Sequence, residues 1–194
     1  MLPEISLRQA SREDVERIAR WLDDEEVCSM WFGRYTYGNP IHLGYQPHEI
    51  LKAPQEMWDR VFDDPLRRIF SIYNTQGEHL GEAQIVVEEA LGNAELSLII
   101  GRKDVWQQGY GTATVRKLLK LVFNTYGLFR AWVDVPDYNV PAVKMFEKLG
   151  FVHEGTLRQS RPHQGSRYNS CVMGMLSSEF AQRSTLEVAE APSV

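Results

Sequence analysis

Hydrophobic and polar positions along the chain change period several times, and each change marks an element. Ile5–Gln9 reads as a short strand, and Ser11 with Asp14 forms a capping box that opens a helix running through Leu22, with Val15, Ile18, Ala19 and Leu22 on one face. From 23 to 47 no period is sustained: an acidic run, Asp23 to Glu26, gives way to Met30, Trp31, Phe32, Tyr35, Tyr37 and Tyr45 among glycines and prolines. Such aromatic content is unlike a disordered linker. Residues 47–62 predict a second helix interrupted at Pro54. Arg67–Asn74 alternates as a strand, a turn follows at 74–77, and residues 79–89 and 94–101 read as two more strands, so the middle of the chain is an antiparallel meander.

The period then lengthens. Val115, Leu118, Leu119, Val122, Phe123 and Tyr126 recur at helical spacing until Gly127. Residues 129–135 form a strand, and 139–148 a helix with Asn139 as N-cap, an early proline, and Gly150 as its stop. Strands at 151–159 and 168–176 flank a polar loop at 160–167. The expected fold is α/β (α+β), a single domain over residues 1–180 with a mixed, mostly antiparallel sheet of about seven strands flanked by helices. Residues 181–194 form a polar tail expected to fray.

Composition narrows the function classes. With 194 residues and 43% hydrophobic content, the chain supports one proper core. It has no run approaching the roughly 18 apolar residues of a membrane span and no basic-then-apolar leader, so a cytoplasmic location is expected. Cys28 and Cys171 lack metal-like spacing and read as reduced thiols, and the five histidines are scattered, so no metal is expected. A net charge of −5 argues against a nucleic-acid surface.

The candidate chemistry lies in residues 104–119, DVWQQGYGTATVRKLL, where two glycines precede a helix. Glycine permits close backbone approach, and a helix start presents unpaired N–H groups with partial positive charge, which together make an anion cradle. A P-loop reading fails because no lysine–serine or lysine–threonine pair follows the glycines. A dinucleotide fingerprint meets Thr114 where its third glycine belongs, and the antiparallel first half opposes a doubly wound fold.

WQQGYGT, Trp106 to Thr112, resembles the [QR]-x-x-G-x-[GA] loop of the GNAT superfamily of acyl-CoA-dependent N-acyltransferases. NVPAVKMFEKLGF, Asn139 to Phe151, resembles that family's N-x-x-A-x-x-x-[YF]-x-K-x-G-F signature. Trp106 departs from the usual first residue in a way familiar from the branch acting on ribosomal-protein N-termini or polyamines. The resemblance implies acetyl-CoA as cosubstrate and a sheet splayed between its fourth and fifth strands. It places the pyrophosphate on the amides of Gln107, Gln108, Gly109, Tyr110, Gly111 and Thr112, and the pantetheine arm beside Leu98, Ile99, Ile100 and Gly101. Asn139 would bond the arm from the other side, Phe146 would border it, and Lys144 would reach a nucleotide phosphate.

An amine attacks a thioester only when neutral, and at pH 7 deprotonation costs about 4.6 kcal/mol for a lysine-like amine against about 1 kcal/mol for an α-amino group. A base should help, and the resemblance supports two carboxylates, Glu95 and Asp134. Many relatives supply a tyrosine acid where this chain has Phe146; Tyr168, Cys171 or water are the substitutes. Neither cysteine lies in a nucleophile setting, so direct attack without an acyl-enzyme is expected. The runner-up is a catalytically weak acyl-CoA-binding regulatory module. In the family, residues 23–47 and 160–168 border the acceptor, a small amine or a protein N-terminus. Here Asp23, Asp24, Glu25 and Glu26 suit a polyamine or basic peptide, whereas Arg158, Arg161, His163 and Arg167 suit an acidic one. The aromatics from Trp31 to Tyr45 read as packing, or as the contact of a homodimer.

Overall fold

The computed structural model describes residues 2–35 and 38–189, with side chains as far as 183. Strands β1 (Ile5–Gln9), β2 (Arg67–Asn74), β3 (His79–Glu88), β4 (Asn93–Ile100), β5 (Arg130–Pro136), β6 (Val152–His163) and β7 (Ser166–Leu176) form one sheet in the order β1-β2-β3-β4-β5-β7-β6. Every pairing is antiparallel except β4 with β5. That pair holds only at Asn93↔Arg130, Ala94↔Ala131 and Glu95↔Trp132 before the strands diverge. The expected splay is therefore present, and from Leu96 onward the edge of β4 facing β5 has no ladder.

Helices cover both faces. Helix α5 (Tyr110–Lys120) buries Val115, Leu118 and Leu119 against Leu96 of β4 and Val133 of β5, and α6 (Val140–Leu149) closes the same core with Phe146 and Leu149. The helical run ends in a π-turn at Leu121–Thr125, and Gly127, at φ +65°, turns the chain into β5. On the other face α1 (Arg12–Asp23) packs Ile18 and Leu22 with Ile99 of β4. Its capping box is formed in both directions between Ser11 and Asp14.

Three stretches differ from the sequence expectation. Residues 23–47, read as aperiodic, contain α2 (Glu25–Trp31), seven residues capped by the Asp24 carboxylate on the amides of Glu26 and Val27. Two turns are too short to display a period. Pro54 does interrupt the next helix, dividing it into α3 (Pro47–Ile50) and α4 (Gln55–Phe62). The polar segment 160–167 is not a loop: β6 and β7 continue through it as a hairpin closed at Gln164 and Gly165. A bulge hides the continuation, because three residues, Arg158 to Ser160, stand opposite Asn169 alone and break the alternation. Finally, Ser177–Ala189 forms α7, so the polar chain from Ala181 is helical as far as Ala189. Trp31, Phe32 and Tyr45 are core residues, which favours packing over a dimer contact for them; Tyr37 lies outside the described residues.

Candidate active site

The divergence of β4 from β5 opens a cleft of about 730 Å³. Its walls are β4 from Leu96, the loop entering α5, one side of α6, the end of β5 and α2 from Glu26 to Trp31. Leu98, Ile99, Ile100, Gln107, Gly109 and Tyr110 line it, as do Gly111, Thr112, Asp134, Asn139, Lys144 and Phe146. Four residues expected at the site are not among those lining the cleft. Gly101 is a packing position, since a Cβ there would lie 2.1 Å from the Trp21 ring. Gln108 gives its backbone N–H to the Val105 carbonyl at 3.4 Å and its side-chain amide to the Asp104 carbonyl at 2.8 Å. Tyr168, 37% exposed, packs edge-on to Tyr138 on the β6–β7 hairpin and does not line the cleft. Glu95 sits one residue before the lining begins, at the last β4–β5 pair.

The entrance to α5 explains the glycines. Gln107 and Gly109 are left-handed, at φ 61° and 89°, and this turns the chain so that α5 starts at the cleft wall. The first bond of the helical ladder runs from the Ala113 amide to the Gly109 carbonyl, so the amides of Tyr110, Gly111 and Thr112 precede it. Helices α1, α2 and α6 each have a side-chain cap, from Ser11, Asp24 and Asn139; α5 has none. Its positive end is left to whatever occupies the cleft. Gly111 allows close packing of α5 on α6, its Cβ position lying 3.2 Å from the Met145 sulfur. Trp106 donates its indole N–H to the Ile100 carbonyl at 2.7 Å, which fixes the corner between β4 and this loop. The sequence reading missed that role because the partner lies on another element.

Asn139 is engaged at both ends of its amide. The oxygen caps α6 at the Ala142 amide, 3.2 Å away, and the nitrogen donates to the Met30 carbonyl at 2.6 Å, tying α6 to the end of α2. Lys144 is exposed at the cleft rim, and Lys148 lines the cleft one turn further along α6. Phe146, only 3% exposed, meets Phe151 edge-on and carries no proton to give. The lining hydroxyls are Ser97, Tyr110 and Thr112. Ser97 lies two positions along β4 from Glu95, hence on the same face, and strand alternation alone could have identified it.

The two candidate bases share a face of the sheet but differ in surroundings. Glu95 is half-buried, and burial, reinforced by the nearby charge of Asp134, raises its pKa above the ordinary carboxylate value despite opposing pulls from Arg67 and Arg161. Asp134 instead forms an ion pair with Arg161 through Oδ2, and its Oδ1 is buried without a partner. The bulge in β6 aims Arg161 at this point, and the guanidinium also lies over the Phe32 ring at 4.4 Å. Cys28 is buried, its thiol pushed up to about 11 chiefly by burial, and Sγ donates to the Gly33 carbonyl; burial also raises Cys171, which does not line the cleft. Neither is set up as a nucleophile.

The acidic run beside the cleft is partly offset within the chain, two cations and a histidine meeting its four carboxylates. Asp24 and Glu26 both meet Lys103, at 2.7 and 3.1 Å, Glu25 meets Arg34 at 2.9 Å, and Asp23 lies 3.2 Å from His48. Beneath the connection from α2 to α3, Glu82 of β3 is 2% exposed and accepts hydrogen bonds from Tyr45 and Gln84, with His42 Nε2 3.1 Å away. Gln84 in turn accepts from Arg67 at 2.8 Å. None of these partners was visible in sequence order. Among the described residues no group of three or more His, Cys, Asp or Glu could hold a metal ion, and no helix is long and apolar enough to cross a membrane.

Comparison with known proteins agrees with this geometry. The chain is 24% identical over 178 residues to the uncharacterized N-acetyltransferase p20 of Bacillus licheniformis, covering 91% of this chain and 95% of that one. It is 23% identical over 185 residues to a spermidine N(1)-acetyltransferase of Vibrio cholerae, covering 95% and 99%. A crystal structure of the Vibrio cholerae spermidine N-acetyltransferase in complex with CoA and spermine superposes with a TM-score of 0.76 at 21% identity, covering 91% of this chain and 98% of that one. The family model for the acetyltransferase (GNAT) domain matches residues 4–152, and the chain belongs to that family.

Proposed function

We propose that this protein is an N-acetyltransferase that binds acetyl-CoA in the β4–β5 cleft and passes the acetyl group directly to a primary amine. The observation that carries the reading is the start of α5: a helix without a side-chain cap, entered through left-handed Gln107 and Gly109, opening on a cleft of about 730 Å³. The amides of Tyr110, Gly111 and Thr112 meet the pyrophosphate without a metal. The edge of β4 at Leu98, Ile99 and Ile100 offers backbone groups to the amides of the pantetheine arm, and Lys144 and Lys148 supply positive charge at the rim.

Glu95 is the proposed base. Its raised pKa brings it closer to neutrality, where a general base works best, and it stands where the two strands part. The amine nitrogen bonds to the thioester carbonyl carbon, the C–S bond breaks with its electron pair going to sulfur, and the nitrogen's proton passes to Glu95. With Phe146 at the family's tyrosine position, that residue has no phenol to protonate the departing thiolate. The buried state of Cys28 supports direct attack over an acyl-enzyme.

The cradle is tested by two glycines under equal backbone strain. Gly109, at φ +89°, borders the cleft, whereas Gly77, at φ +78°, lies in the β2–β3 turn with nothing within 4 Å of an added Cβ. Each alanine substitution is expected to destabilise the fold by about 1 kcal/mol or more, and at Gly109 the added Cβ would also press on side-chain carbons of Leu2 and Pro3 at 3.1 Å. Calorimetric titration with CoA should show affinity falling roughly tenfold or more for Gly109→Ala, from misaligned amides, and staying within about twofold for Gly77→Ala. Equal affinities in the two variants would mean that Gly109 serves only the turn.

A further inference from the structure

The acceptor side of the cleft contains an arrangement that acetyl transfer to a simple amine does not require. Asp134, at the end of β5, lines the cleft, and its Oδ2 pairs with Arg161, yet Asp134 Oδ1 and Arg161 Nε are both buried without partners. The side chains are 12% and 17% exposed, so the pair lies largely out of water. Trp31, beside Phe32 in the cleft wall, likewise leaves its indole N–H buried and unpartnered. The wall thus carries one unused acceptor and one unused donor, and Arg161, which stands behind Asp134 and does not itself line the cleft, adds a second donor, whereas buried polar groups are ordinarily satisfied.

The arrangement is built, not incidental. Arg161 reaches Asp134 because β6 inserts three residues opposite Asn169, with Gln159 held left-handed at φ 51°. The bulge is pinned by the Gln159 amide on Asn169 Oδ1 at 3.0 Å and by Ser160 Oγ on Ser170 Oγ at 2.8 Å. The hairpin is seated on the loop after α2, where a Cβ on Gly33 would lie 2.8 Å from the Pro162 carbonyl. A bulge that re-aims one side chain into a site is a recurrent functional device.

We propose that Asp134 and Arg161 select the acceptor, and that it is an amine bearing a carboxylate within a few bonds: a free amino acid, or a chain whose first residue is acidic. This rests on the acetyltransferase reading above. A ligand entering a buried ion pair must replace what it displaces. The ammonium of such an acceptor pairs with Asp134 while its carboxylate takes Arg161, so neither buried charge is stranded. A polyamine satisfies Asp134 alone and leaves the guanidinium unpaired. Part of the acidic run that would otherwise attract polycations is met by Lys103 and Arg34. The same Asp134 charge that raises the Glu95 pKa lies near enough to hold the incoming amine beside its base.

The test is steady-state kinetics at saturating acetyl-CoA. The panel contains neutral amino acids, each beside the amine left by removing its carboxylate, blocked-C-terminus peptides opening on Asp or on Asn, and spermidine. The wild-type protein is expected to favour the carboxylate-bearing member by tenfold or more in kcat/KM, with the ratio dropping to about one in Arg161→Met, mostly through KM. Preference for free amino acids identifies the α-carboxylate as the recognised group, and preference for Asp-opening over Asn-opening peptides identifies the side chain. A CoA titration of each variant reports on the fold. Should Arg161→Met not fold, Arg161→Lys, which keeps the charge and loses the fork, is expected to reduce the ratio without abolishing it. The proposal is overturned if the wild type prefers spermidine or the carboxylate-free amines, or if the folded Arg161 variant slows both members of each pair equally. Failure to bind CoA at all would instead remove the acetyltransferase reading, whereas CoA binding with amine acetylation indifferent to carboxylate would remove only this inference.

Discussion

Glu95→Gln is expected to lower kcat by about 10²–10⁴-fold while leaving the affinity for CoA within about twofold. The substitution keeps the volume of the side chain and removes its proton acceptor. In the wild type, activity should fall as pH drops through the Glu95 pKa, because a protonated carboxyl takes no proton. Burial and the Asp134 charge have raised that value, so the loss begins nearer neutrality than for an ordinary carboxylate. The variant should lack this acid limb and regain rate at high pH, where solution supplies neutral amine. Stability should move the opposite way. A carboxylate whose pKa is raised by folding destabilises the native state once it ionises, so stability contributed at low pH is lost as pH rises from the unfolded value through the folded one. Glu95→Gln should therefore melt at or above the wild-type temperature at pH 8, a gain typical of removing a functional strain. A kcat within threefold of wild type with an unchanged pH profile would exclude Glu95 as the base. Asp134→Asn, expected to change acceptor preference without removing the acid limb, would then be the variant to read for both.

What could be read in the sequence follows from the range of the interactions involved. Local, repetitive signals were legible: the capping box at Ser11 and Asp14, the apolar stripe of α5, the meander of β2 to β4, and the Gly109–Gly111 loop entering a helix. Each is written within a dozen residues. The splay between β4 and β5 was expected only through the family resemblance, since nothing in either strand announces where a parallel pair stops.

Partner choice was not legible. The run from Asp23 to Glu26 reads as an open negative surface, but Lys103, about 80 positions downstream, bridges two of its four carboxylates. Asp134 reads in sequence as a candidate base and Arg161 as one of several cations bordering the acceptor, but no spacing announces that folding pairs the two, with Arg161 directly behind the cleft-lining Asp134. Charged side chains declare their sign in sequence order, but their function depends on what folding brings opposite them. Phe146 was legible in the opposite sense: a residue that cannot donate a proton remains unable to do so in any packing, and its burial against Phe151 adds only that it belongs to the core.

Glu82→Ala is expected to be the most destabilising of the charge removals. The carboxylate is enclosed, and burial alone would push its pKa up; His42, then Tyr45 and Gln84, outweigh this and hold it below the ordinary value. Its deletion strands the Tyr45 hydroxyl, one N–H of the Gln84 amide and the His42 ring in a space closed to water. Removing one partner from a buried polar network costs about 3–5 kcal/mol, which for a chain of this size lowers the melting temperature by about 6–20 °C. The exposed pair Glu56–Arg60, at 2.7 Å, supplies the contrast: its members are 77% and 75% exposed, and Glu56→Ala should produce no measurable shift. The pH dependence separates this account from simple cavity formation. A carboxylate with a lowered pKa contributes stability that is present above its unfolded value and lost as pH falls through the folded one. The wild-type melting temperature should therefore converge on that of Glu82→Ala as the pH is taken from 6 down into the acid range. A difference that persists undiminished there would assign the loss to packing volume, and an unchanged melting temperature at pH 7 would mean that the loop carrying His42 and Tyr45 is held to the sheet by its aromatic contacts alone.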